Sequence, residues 1–197
     1  MRILFTSFSC LVDPGSGAAI SVRTILGLLA ARGHEVMSLS GACFDKAQKP
    51  SPVEMLQWSK FTKDADSAFW RFEDAAVTHL ALPSDVHSTV LVDQQTVNRL
   101  TDAATDLIRD FRPDVIVSYG ATPYEKNIRK HAREQGIGSV MYLANPSYKS
   151  RASFADTDLV LTDSAATQNL YEERLGLESV VIGKFIARSV AKRPHKS

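Results

Sequence analysis

Cysteine is scarce in this chain: 197 residues include only Cys10 and Cys43. Two thiols build neither a disulfide framework nor a metal-ligand cluster. Each follows an apolar run, so both are expected to pack as small buried hydrophobes. Long hydrophobic runs are missing as well. No stretch approaches the ~18 apolar residues of a membrane-spanning helix, and the opening MRILFTSF runs straight into a strand without the apolar stretch of a signal peptide. A reducing, cytoplasmic location is therefore the default expectation. Nor is there a surplus of charge: 23 Lys and Arg against 22 Asp and Glu leave a formal +1, no basis for expecting nucleic acid as a partner. The five histidines, His34, His79, His87, His131 and His195, stand apart without metal-ligand spacing. No metal is expected, no histidine is assigned a catalytic part, and no Ser-His-Asp or Cys-His arrangement follows from spacing.

What is present suits a globular core. The hydrophobic fraction is 44% and the charged fraction 23%, close to the average of folded domains, and the length fits one domain. Strand and helix signals alternate, the pattern of a parallel sheet with crossover helices. Arg2 to Ser7 is a short apolar strand. The turn-rich Asp13-Pro14-Gly15-Ser16-Gly17 leads into a helix with apolar Ile20, Val22, Ile25, Leu26 and Leu29, stopped by Gly33. Glu35 to Ser40 is the second strand, completing a βαβ unit. From Gly41 to Asp74 the pattern is irregular. Ser51-Pro52 starts a short helix with Met55, Trp58 and Phe61, and Phe69–Glu73 with Val77–Leu82 forms a hairpin. Gln94 to Phe111 repeats apolar residues at helical spacing up to Pro113. Strands follow at Asp114–Tyr119, Ser139–Leu143, Asp158–Thr162 and Val180–Ile182, with helices over Tyr124–Gln135 and from an Asp163 or Ser164 cap to Leu175. Six or seven strands and about five helices make the expected fold an α/β, Rossmann-like three-layer sandwich with a mostly parallel twisted sheet. The domain covers 1–186, and 187–197, basic and without apolar period, is a linker or disordered tail.

Ligands of open parallel sheets bind at the carboxyl ends of the strands. Three loops leave those ends with suggestive composition. In the first, Gly15, Ser16, Gly17 and Ala18 place backbone amides at a helix N-terminus, where amides and dipole both favour a phosphate. The dinucleotide fingerprint is incomplete, since GSGAAI has Ile20 where its third glycine belongs. The second strand carries no ribose-binding acid, and no P-loop lysine is present. The second loop begins at Tyr119-Gly120, and the third holds Asn145 before Pro146, its amide expected to point into the same crevice. Lys126, Arg129, Lys130 and Arg133 fall on one side of their helix, opposite Tyr124, Ile128 and Ala132. An ordinary solvated face is expected there, with weak contact to a membrane surface or a phosphorylated acceptor as the alternative.

The loop PGSGAAISVRTILGLLAARGHEV, the segment RPDVIVSYG and the stretch DTDLVLTDSAATQNLYEERLGLESVVIGKFI together resemble the N-terminal domain of GT-B glycosyltransferases of family 4. The resemblance implies the N-terminal half of a GT-B fold and a retaining transfer of sugar from a nucleotide-sugar donor to an acceptor hydroxyl. It implies no cofactor, the nucleotide-sugar being a substrate. The glycine loop at Gly15 to Ala18 would approach the donor diphosphate, and Tyr119, Gly120, Asn145 and Ser164 would line the acceptor side. Its implied partners are a C-terminal donor-binding Rossmann domain, in the same chain or separate, and a sugar or lipid-linked acceptor. Two departures stand out. Asn145 occupies a strand end where many family members carry histidine, and asparagine orients hydroxyls without shuttling protons. No donor domain follows VVIGKFI, so the chain on its own is expected to be inactive. A stand-alone binding module for a sugar phosphate or protein partner is the competing reading. A small nucleotide-dependent reductase or epimerase is disfavoured by the incomplete fingerprint and the lack of a Tyr-x-x-x-Lys pair.

Overall fold

The computed structural model describes residues 1–13, 15–44, 54, 56, 61–63, 68–82 and 93–185. The expected helix start at Ser51-Pro52, with Met55 and Trp58, and the tail at 187–197 lie outside them. The strands are β1 (Arg2–Ser9), β2 (Glu35–Cys43), β3 (Thr62–Lys63), β4 (Trp70–Asp74), β5 (Val77–Leu82), β6 (Val115–Ser118), β7 (Gly138–Leu143), β8 (Leu159–Thr162) and β9 (Val180–Val181). The helices are α1 (Gly17–Ala30), α2 (Gln94–Phe111), α3 (Pro123–Glu134) and α4 (Ala165–Leu175), with a 3₁₀ turn at Arg151–Phe154.

Among the described residues nine strands join one sheet in the order β3-β4-β5-β2-β1-β6-β7-β8-β9. Pairing is parallel from β5 through β9, and only β4 runs against the others, pairing antiparallel with β3 and β5 at one edge. This is the expected Rossmann-like α/β domain, with two more strands than the upper expectation. The strand without an expected counterpart is the two-residue β3, and β4 and β5 form the anticipated hairpin. Its turn residues Ala75 and Ala76 are both left-handed, at φ +50° and +61°, a conformation that glycine or asparagine adopts more cheaply. Among the described residues there are four α-helices against about five expected.

Local chemistry explains the boundaries. Ser16 caps α1 by accepting from the Ala19 amide, and Asp93 caps α2 through the Thr96 amide at 2.7 Å. The helix α2 buries Val97, Leu100, Ala104, Ile108 and Phe111, the i, i+3, i+4 stripe read from sequence. It ends at left-handed Arg112, immediately before Pro113. Ser164, rather than Asp163, caps α4, and Gly176 closes it at φ +61°.

The crossover helices lie on the two sides of the sheet. On one side α1 covers Ile3, Phe5 and Val36. On the other, α2 and α3 pack on Leu4, Leu39 and Ile116, and α4 packs on Met141 and Val160. Among the described residues the aromatic side chains of the irregular region join the core. Phe61 and Trp70 are buried with Phe44 and Leu56, Phe69 packs on the main core, and Phe72 stacks on His79. Cys10 and Cys43 are buried and free, and burial pushes the Cys10 thiol up to about 12.

One expectation fails. Arg129 was placed on a solvated helix face with Lys126, Lys130 and Arg133. Lys130 and Arg133 are exposed, but Arg129 is fully buried. The helical wheel puts it beside Ile128 and Glu125 at the edge of the apolar stripe. There the chain after β7 folds over it and supplies carbonyl acceptors.

Candidate functional site

Parallel strands β1 and β6 are neighbours whose connections leave in opposite directions, α1 leading to β2 and α3 to β7. Such a divergence opens a crevice at the carboxyl ends of the strands. The first two expected loops flank it.

The first loop turns at its tip. Gly15 donates its amide to Asp13 Oδ1 at 2.8 Å, and Ser16 donates to the Asp13 carbonyl at 3.3 Å. Two of the amides expected to receive an anion are therefore held by Asp13 itself. The Gly17 and Ala18 amides, first and second in α1, precede the intrahelical ladder. A Cβ at Gly17 would meet nothing within 4 Å. Helix dipole and bare amides together favour a negative group there.

The second loop is held from below by two buried ionisable side chains, Glu125 and Arg129. Burial pushes the Glu125 carboxyl above its usual range, although the Thr122 hydroxyl and the Phe8 and Thr122 amides donate to it. Gly120, at φ +116°, leaves space for that carboxylate, and a Cβ would sit 2.7 Å from Glu125 Oε1. The role of Gly120 is thus internal to the fold. Arg129 donates from Nη1 to the Gly120 carbonyl at 3.1 Å and to Ser118 Oγ at 3.3 Å. It also donates from Nη2 to the Ser153 carbonyl at 2.8 Å and from Nε to that of Ala155 at 3.2 Å. Burial lowers the guanidinium pKa, yet the fork of donors ties the end of β6 to the chain entering β8.

Above this base, Ser16, Ala18 and Tyr119 share one small pocket with Ser7, Ser9 and Cys10, of about 10 Å³, room for about one water molecule. The Asn145 amide donates to Tyr119 Oη at 3.5 Å and its carbonyl oxygen accepts the Ser147 amide at 3.0 Å. Asn145 therefore both starts a turn and reaches into the crevice. The Asn145 backbone carbonyl accepts from Tyr171 Oη at 2.7 Å, fixing its position from α4. Ser164 stands one strand farther along, its hydroxyl bonded to Asp163, Thr167 and the Thr167 amide. It is engaged in capping.

Solved structures share this fold. The catalytic domain of starch synthase IV from Arabidopsis thaliana, bound to ADP and acarbose, superposes with TM-score 0.62 at 10% identity, over 94% of this chain and 51% of that one. Sucrose-phosphate synthase from Thermosynechococcus elongatus gives TM-score 0.61 at 13% identity, over 92% and 47%. UDP-GlcNAc 2-epimerase from Neisseria meningitidis, bound to UDP-GlcNAc, gives 0.53 at 16%, over 93% and 46%. The fold is that of one GT-B lobe. At such identities the likeness concerns fold alone, and the lobe spans about half the length of each of these structures. No protein-family model and no curated protein matches the sequence.

Part of the lobe's rim was not foreseen. Asp163, at the end of β8, is nearly buried and receives Lys184 Nζ at 3.3 Å and Thr167 Oγ1 at 2.8 Å. Burial works against its charge, but the hydrogen bonds from Thr167, Lys184 and Ser164 prevail and hold its carboxyl below the ordinary value. Beside it, Tyr142 Oη meets Ser21 Oγ at 3.1 Å, and Ser21 Oγ accepts the Phe185 amide at 3.1 Å. Tyr142 also lies against Tyr119, with ring centroids 6.4 Å apart. Sequence offered no signal for this group, because it assembles α1, β7, β8 and the chain after β9. The rim thus gathers hydroxyl, amide and carboxylate groups. Among the described residues no cluster suits a metal ion and no helix is long and apolar enough to cross a membrane.

Proposed function

We propose that this lobe is the N-terminal, acceptor-side half of a retaining glycosyltransferase that moves a sugar from a nucleotide-sugar donor to an acceptor hydroxyl. It works with a second, donor-binding lobe and is inactive without it. The observation that carries the reading is the start of α1 at Gly17 and Ala18 beside Tyr119 at the strand divergence, with Asn145 donating to the Tyr119 hydroxyl. Departure of a nucleoside diphosphate builds negative charge, and fixed amides at a helix N-terminus stabilise charge that develops there. Tyr119 and Asn145 would orient the acceptor by hydrogen bonds. Two fold neighbours hold a nucleotide or nucleotide-sugar, which supports this class of substrate.

The test is sugar transfer by the complete two-lobed protein with a panel of nucleotide-sugars, comparing Gly17→Asp. That position has open space, and an acid at the first turn of a helix favours folding. Turnover should fall at least a hundredfold through repulsion of the diphosphate. Unchanged turnover would remove the phosphate-loop assignment, and absence of transfer with every donor would remove the enzyme reading. Because several fold neighbours are UDP-GlcNAc 2-epimerases, NMR of the donor alone in the same assay distinguishes epimerisation from transfer.

A further inference from the structure

The loop that carries Asn145 has little scaffold of its own. β7 ends at Leu143, and among the described residues no backbone-to-backbone hydrogen bond engages residues 145–148. Main-chain groups outside a ladder must find other partners, and here side chains supply them. Asn145 Oδ1 accepts the Ser147 amide at 3.0 Å, which makes a local turn. The remaining bonds come from α4. Tyr171 Oη donates to the Asn145 carbonyl at 2.7 Å and accepts the Tyr148 amide at 3.0 Å. Arg174 Nη1 donates to the Pro146 carbonyl at 3.2 Å. Tyr171 and Arg174 stand at i and i+3, neighbours on one face of the helix.

The two grips differ in strength. Tyr171 is fully buried, and its ring packs against Phe154 and Tyr148 with centroids 5.7 and 6.4 Å away. Its hydroxyl is therefore fixed by packing before it bonds the loop. Arg174 is exposed, and a long solvated side chain gives up more freedom to hold one acceptor. The grip passes on to the Asn145 side chain. With Oδ1 held by the Ser147 amide, the NH2 group is the end turned to Tyr119 Oη, at 3.5 Å. That distance is already the limit of a hydrogen bond, so a small drift of the Asn145 backbone breaks the contact.

We propose that Tyr171, with Arg174 in a lesser part, is a positioning residue for the acceptor. It touches no substrate and acts by holding Asn145 in the crevice. The proposal rests on the acceptor-side reading of Asn145.

Tyr171→Phe tests it in the complete two-lobed protein, because it keeps the ring and removes only the hydroxyl. With p-nitrophenyl and octyl glycosides as acceptors, the acceptor KM should rise about fivefold or more, with kcat and donor KM within about twofold of the parent. Arg174→Ala, at the surface, should raise it about twofold. In an Asn145→Ala background Tyr171→Phe should raise the acceptor KM no further, since coupled residues are not additive. An unchanged acceptor KM overturns the proposal. So does a loss shared equally by kcat and donor KM, or an effect that multiplies with Asn145→Ala, because a merely structural phenol gives those results. A readout without turnover separates the proposal from the enzymatic reading. The side-chain amide NMR signals of Asn145, identified by their loss in Asn145→Ala, should move in Tyr171→Phe. Unmoved signals overturn the positioning whether or not sugar is transferred. Moved signals in a protein that transfers nothing with any donor would refute the enzymatic reading and leave the grip of α4 on Asn145 standing.

Discussion

Replacing Arg129 by methionine tests the buried support beneath the crevice. Methionine approximates the volume of the arginine stem and supplies no donor. Three backbone carbonyls, those of Gly120, Ser153 and Ala155, lose the partners that now sit at 2.8 to 3.2 Å. An acceptor left unpaired out of water costs about 1–3 kcal/mol, and these three are partly buried, which selects the low end. Relief of the guanidinium's own burial, the first cause of its lowered pKa, offsets part of that sum. The net expectation is a loss of about 2–3 kcal/mol. With a urea slope of about 2 kcal/mol per molar, the unfolding midpoint followed by circular dichroism should fall by about 1–1.5 M. Arg129→Lys should fall between the two, because a single ammonium cannot reach three carbonyls in the plane of the guanidinium fork. A methionine variant within about 0.3 M of the parent would show that water replaces the fork, and the account of this loop would be wrong.

Acid should act through His79. Burial, with the nearby Arg23 charge second, lowers its pKa from 6.5 to about 4, so the folded protein holds the ring neutral beside Ser38 Oγ at 2.7 Å. A depressed folded pKa means that stability is complete above about pH 6.5 and is lost as pH falls toward 4. The loss amounts to about 2–3 kcal/mol by pH 4.5. Urea midpoints at pH 7 and 4.5 should converge in His79→Gln relative to the parent, and parallel slopes would contradict the assignment. At Gly120, alanine places its Cβ 2.7 Å from Glu125 Oε1 at φ +116°, and a cost of about 3 kcal/mol or more follows from clash and strain together. Gly17→Ala, with open space and helical backbone, should be neutral or slightly stabilising, and equal losses at both positions would dismiss the steric argument.

Local pattern determined the architecture. The period of apolar residues in β1, α2 and β7, the caps Ser16 and Ser164, and the stop at Pro113 are short-range physics, so the alternating α/β order was legible without coordinates. So was the placement of Gly15 to Ala18 and Asn145 beside strand ends. Short-range pattern could not supply what several elements build together. Arg129 reads as one more cation on a charged helix, and only the carbonyls of Gly120, Ser153 and Ala155, brought from two other segments, let a charge be buried there. The two-residue β3 is too short to carry any period, and Ala75-Ala76 lacks the glycine or asparagine that marks a tight hairpin turn. Asp163 meets Lys184, and Ser21 meets Tyr142, across gaps of 21 and 121 residues, distances over which sequence periodicity says nothing. Periodicity told which residues are apolar, but only the packing of α1 to α4 on the sheet decided which of them are buried.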